Sequence, residues 1–161
     1  MKEKSIKLLN QALADELSAV HQYMYFHFRL DDLGYEPLAG LLKRVAIEEM
    51  QHAETLAERI LFLGGEVEMV VSDPVQKIHD AKEMLQRAKA MEDESAQFYN
   101  RAAQECAANA DSASKKIFED LVASEERHWD DFDRQAGFIE RFGERYLALQ
   151  SFRAEPEAGE S

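Results

Sequence analysis

Cysteine is almost absent from this chain: Cys106 is the only one in 161 residues. One thiol excludes an internal disulfide and any cysteine-rich zinc or iron–sulfur site, and it suits a reducing cytoplasm. Cys106 itself is expected to be a small apolar helix residue. No apolar run approaches the ~20 residues that span a bilayer, so no membrane association is expected. The opening segment MKEKSIKLLNQALADEL lacks the apolar stretch of a secretory signal. Basic residues are outnumbered 19 to 32, and the net charge is −13. That balance argues against a nucleic-acid partner. It would gather cations by long-range attraction, or simply keep the protein soluble.

Glycine and proline are also scarce, seven and three. Gly34 and Pro37 lie in LGYEP; Gly64, Gly65 and Pro74 bracket GGEVEMVVSDP. Between these breaks apolar residues recur three and four apart, the period of an amphipathic helix. The pattern predicts helices over about 4–33, 37–63, 74–107 and 112–139, and a short fifth from about 144 to 152. Residues 1–152 are expected to form one helical domain. The polar, acidic segment 153–161 is expected to be a disordered tail. Asp111 or Ser112 is placed to cap the fourth helix. The connector from Gly64 to Asp73 reads as extended, with EVEMVV either spanning the bundle's height or forming a short edge strand. The expected fold is therefore all-α: an antiparallel four-helix bundle with one long crossover.

One spacing recurs. Glu16, Tyr23, Glu49 and His52 are each matched 76 positions later, by Glu92, Tyr99, Glu125 and His128. Each half reads glutamate, then tyrosine, then Glu-x-x-His, and the acids and imidazoles fall on the apolar stripe of their helices. Glu-x-x-His places both side chains on one helix face, one turn apart. The motif alone is weak, because glutamate is common here. The force lies in all four pairs sharing one offset. Ionised carboxylates are rarely buried without a partner. Four carboxylates and two imidazoles are the donors that two transition-metal ions require, and this set suits iron or manganese better than structural zinc. Glu16 and Glu49 lie equally far from the Gly34 turn, as do Glu92 and Glu125 from AANADS, so each pair is level within its hairpin.

Other polar residues carry weaker signals. Tyr23 is read either as a core aromatic or as a hydrogen-bond partner or electron donor beside the acids; Tyr99 is read as packing. His27 is expected to be a satisfied interior group, and His21 and His79 to be solvated. Glu48, Glu54 and Glu58 read as a solvated face.

The stretches LADELSAVHQYMY, IEEMQHAETLAERILFLGG and EERHWDDF resemble the bacterioferritins, over nearly the whole chain. The ligand plan of ferritin-like bundles is a standard example of metal sites built between helices. The resemblance implies a ferritin-like fold and an iron-storage ferroxidase, oxidising Fe(II) with O₂ or H₂O₂ and depositing ferric mineral in a cage. It implies a two-iron centre of Glu16, Glu49, His52, Glu92, Glu125 and His128, with Glu49 and Glu125 bridging and Tyr23 beside it. It implies that Met50 ligates a heme b shared by two subunits. It also implies a homo-oligomer of 24 chains built from two-fold dimers, and a ferredoxin-type redox partner for iron release. Where some members carry a His and an Asp as an inner-surface iron site, this chain has Arg44 and Glu48. The competing reading is a di-iron peroxidase of the rubrerythrin type or a manganese catalase that stores no mineral, although the Cys-x-x-Cys module of most rubrerythrins is absent. A third is a helical heme-binding or assembly protein whose buried glutamates are structural.

Overall fold

A computed structural model describes residues 2–149 and 151. The four long helices are α1 Lys2–Asp32, α2 Glu36–Phe62, α3 Ala81–Ala108 and α4 Ser112–Phe142, followed by α5 Glu144–Leu149. No described helix is long and apolar enough to cross a membrane. The expected tail, 153–161, and Phe152 lie outside the described residues.

The turns form where the sequence permits a left-handed residue. Gly34 has φ +84°, and Tyr35 N–H donates to the Leu30 carbonyl, six residues closing on the first. Gly64, at φ +80°, ends α2 in the same way, with Gly65 N–H donating to Ile60. Such caps satisfy carbonyls that the helix end leaves open. The third loop repeats the device with Ala110 at φ +58°. Asp111 then caps α4, accepting from Ser114 N–H at 3.1 Å and from Arg59 of α2 at 2.7 Å. These tight turns make α1/α2 and α3/α4 antiparallel hairpins.

The crossover, residues 63–80, runs along α1 without pairing as a strand. Its backbone is held by side chains instead. Asn10 donates to Glu66 O and accepts from Glu68 N–H; Gln22 does the same for both backbone groups of Gln76. Ser18 Oγ accepts from Ser72 and Asp73 N–H, at 2.8 and 3.1 Å. These three polar residues are buried on α1 because each replaces a sheet partner. Helix α3 begins at Ala81, seven residues later than the Pro74 start read from the sequence. The reason is local: Asp80 Oδ2 accepts from Glu83 N–H at 3.0 Å, a better helix start than Pro74, and Gln22 draws residue 76 into the crossover. Helix α5 is described as far as Leu149.

The apolar core is split in two. One cluster contains Tyr23, Phe26, Leu42, Val45, Met84, Leu85 and Phe132. The other contains Leu9, Leu13, Leu56, Ile60, Tyr99, Phe118 and Leu121. On every long helix the segment between the clusters carries the recurring acids and imidazoles. The bundle is thus two oily ends clamped around one polar layer.

Candidate metal centre

Each half of the chain delivers a glutamate from its first helix and a Glu-x-x-His pair from its second. Tight hairpins level the residues within a half, and the parallel crossover brings the halves face to face. All six meet. Glu16, Glu49, Glu92 and Glu125 are each 1% exposed and His128 2%, so these five side chains are buried. His52 Nδ1 lies 3.5 Å from Glu16, 3.4 Å from Glu49 and 3.2 Å from Glu125. His128 Nδ1 lies 2.9 Å from Glu49, 3.6 Å from Glu92 and 3.9 Å from Glu125. Two donor sets result, Glu16–Glu49–His52–Glu125 and Glu49–Glu92–Glu125–His128, each with its atoms within 4.8 Å of one another. Glu49 and Glu125 belong to both. That sharing is what two adjacent cations bridged by carboxylates require.

The donors fit such ions for a further reason. Glu16 Oε2, Glu49 Oε1, Glu92 Oε2, both oxygens of Glu125, and Nδ1 of His52 and His128 are buried without a hydrogen-bond partner. A buried orphan of this kind costs about 1–3 kcal/mol, more when charged. Seven in one layer converge on one small volume, and their donor types are those a transition-metal cation takes.

Without a cation the layer must be neutralised by protons. Burial, then the charges of Glu16 and Glu92, hold Glu49 well above the ordinary carboxylate range. Burial, then Glu16 and Glu49, do the same for Glu125. Burial alone would lower the His52 imidazolium, but Glu125 and Glu16 together outweigh it and lift its pKa from 6.5 to about 9. All these groups hold protons more tightly folded than unfolded. Their contribution to stability is therefore full below the unfolded values and is lost as pH rises through the folded ones. For His52 that window runs from 6.5 to about 9. Melting curves in chelator should accordingly show the metal-free protein less stable at pH 9 than at pH 6. Added dications should remove the difference, releasing protons as they bind.

Two tyrosines complete the layer, crossing between halves. Tyr23 donates to Glu92 Oε1 at 2.7 Å, and Tyr99 donates to Glu16 Oε1 at 2.5 Å. Burial first, then the nearby carboxylates, raise both phenols well above their usual range, so both stay protonated donors. Tyr99 is thus more than the packing residue read from the sequence, since the 76-residue offset carries the role of Tyr23 onto it. Replacing either with phenylalanine strips a buried carboxylate of its donor, a loss of about 1–3 kcal/mol. Thermal melts should show comparable drops for Tyr23→Phe and Tyr99→Phe, roughly 2–4 °C per kcal/mol for a chain of this size.

Glu48 is exposed, as the solvated-face reading has it, and takes a further role there. Its carboxylate hydrogen-bonds to His128 Nε2, while Ser124 Oγ lies 2.9 Å from His52 Nε2. Neither residue is recognisable from sequence alone as serving the site. His27 matches its reading, with Nδ1 2.8 Å from the Ala39 carbonyl. Met50 points away from the layer and is 46% exposed on α2, one turn from exposed Ile47. A cleft of about 370 Å³ between α3 and α4 opens onto Glu92 and Glu125, rimmed by Asp93, Glu126 and Trp129.

Known proteins share this fold. The family described as ferritin-like domain matches residues 6–142. The bacterioferritin of Rhodobacter capsulatus is 38% identical over 147 residues, 91% of either chain. That of Desulfovibrio desulfuricans is 35% identical, covering 91% of this chain and 82% of the relative. A crystal structure of the Desulfovibrio protein, solved to follow its diiron site through different catalytic states, superposes with a TM-score of 0.93 at 33% identity. It covers 99% of this chain and 95% of that one. With two-thirds of its length and more matched at this identity, and a duplicated polar layer at the centre of its bundle, the chain belongs to the bacterioferritin family of ferritin-like proteins.

Proposed function

We propose that this chain is an iron-storage ferroxidase whose polar layer takes two Fe(II) ions as substrate. The observation that carries the reading is the set of seven unpartnered buried donor atoms, shared between two overlapping quartets. Glu16 and His52 would hold one ion, Glu92 and His128 the other, and Glu49 and Glu125 both. Two ferrous ions held side by side supply two electrons together to O₂ or peroxide. Tyr23 and Tyr99 fix the terminal carboxylates, and the two apolar clusters flank the layer at either end. The acidic rim of the α3/α4 cleft draws cations toward Glu92 and Glu125.

The rest of the reading follows the family. Ferric product passes into a hollow assembly of 24 chains built from two-fold dimers, in the cytoplasm, with a ferredoxin-type partner returning electrons for release. Met50, exposed beside Ile47, is where two chains would clasp a heme b. Its exposed thioether would be the group that holds the heme, since it faces away from the ligand layer.

Three measurements on the purified protein test this. Fe(II) added aerobically should consume O₂ rapidly. The particle should weigh several hundred kilodaltons and retain hundreds of irons. A Soret band should be present and should vanish in Met50→Leu. A particle retaining only two irons per chain would instead indicate a peroxidase that stores no mineral.

A further inference from the structure

The duplication that relates the two halves extends one step beyond the candidate ligands, and there it breaks. The same 76-residue shift carries Glu48 onto Ser124. The two side chains play one geometric role, since each grips the outer nitrogen of the opposite half's imidazole. Ser124 Oγ meets His52 Nε2 at 2.9 Å, and Glu48 Oε2 hydrogen-bonds to His128 Nε2. In both rings Nδ1 is left facing the carboxylates.

The two grips differ in charge. Ser124 is a buried neutral hydroxyl, whereas Glu48 is an acidic side chain. A carboxylate only accepts, so His128 carries hydrogen on Nε2, which leaves Nδ1, facing Glu49, as the nitrogen a cation would take. A carboxylate behind a ligating imidazole also raises its basicity and fixes its ring. His52 receives no such charge from serine. Its ring is also more exposed, 16% against 2% for His128. The direct donors cannot create this difference, because each quartet has one terminal glutamate, the shared pair and one imidazole.

Resting on the two-ion reading above, we propose that the two divalent-cation positions are unequal. The position at His128, backed by Glu48, binds tightly and retains its ion. The position at His52, backed by Ser124, fills second and empties first. Glu48 and Ser124 are positioning residues that act through the imidazoles.

Anaerobic titration of the assembled full chain with Co(II), followed by visible absorption and equilibrium binding, tests this. Wild type should take up two ions in steps separated by about tenfold or more. His128→Ala should remove the tight step, and His52→Ala the weak one. Glu48→Gln keeps the size of the exposed side chain and removes its charge. It should weaken the tight step about 10–100-fold, the usual effect of losing such a partner, so that the steps converge. Ser124→Ala should weaken only the second step. A residue serving the fold alone would change the melting temperature of the metal-free protein and leave the ratio of the two affinities unmoved. Equal steps in wild type, or a ratio unchanged by Glu48→Gln, would overturn the inequality and leave the two-ion site standing. No Co(II) bound at all would overturn the two-ion reading, and this inference with it.

Discussion

Glu49→Ala should slow rapid Fe(II) oxidation by about 100-fold or more, while the particle mass stays that of the wild type. The size follows from position. Glu49 belongs to both donor quartets and lies 3.4 Å from His52 Nδ1 and 2.9 Å from His128 Nδ1. Losing a partner one step removed from a metal typically costs 10–100-fold, and losing a shared donor costs more. The fold should tolerate the change. Glu49 Oε1 is one of the buried orphans, and burial disfavours its ionised form. Removing an acid that burial disfavours offsets part of the cavity that alanine leaves. Stopped-flow oxidation and light scattering on the same sample separate the two effects. Wild-type oxidation kinetics in this variant would reject the assigned centre.

Dications should raise the melting temperature of the metal-free protein by roughly 10–20 °C. Ligand that binds only the folded state stabilises by about 2.7 kcal/mol per site at a free concentration 100 times Kd. Two sites give about 5 kcal/mol, and a chain of this length gains roughly 2–4 °C per kcal/mol. The source of the gain is specific. Glu49 and Glu125 lie in a layer where burial and mutual repulsion oppose ionisation, and a pair of dications removes both penalties. In Glu49→Ala most of the increment should disappear, since each ion loses a donor. A melting temperature insensitive to Co(II) or Zn(II) would show that the acids are stabilised by something else.

Much of this is legible in the sequence because the duplication leaves its register visible. Glu16, Glu49, His52 and their counterparts keep one offset, and helical periodicity puts them on core faces, so their meeting needs no tertiary knowledge. The turn at Gly34 and the cap at Asp111 are equally local. What stays hidden depends on partners distant in sequence. Glu48 falls on the outward side of α2, and only the approach of α4 turns it toward His128. Tyr99 reads as packing because a phenol's hydrogen bond leaves no trace in periodicity, although its pairing with Tyr23 offers the clue. The start of α3 is misplaced because proline is a strong helix-start signal. The competing demand, Gln22 pairing with the Gln76 backbone, runs between segments 54 residues apart. Asn10, Ser18 and Gln22 on one face of α1 are the available sign that an extended segment lies there.

The assigned centre requires paired dications to neutralise the acids sequestered between the two apolar clusters. Anomalous-scattering maps from crystals soaked anaerobically in Fe(II) test it most directly. Two peaks are predicted, roughly 3.5–4 Å apart as in other two-metal sites, both touching Glu49 and Glu125, one also at Glu16 and His52 and the other at Glu92 and His128. A layer without anomalous density, its six side chains turned away from one another, would contradict it.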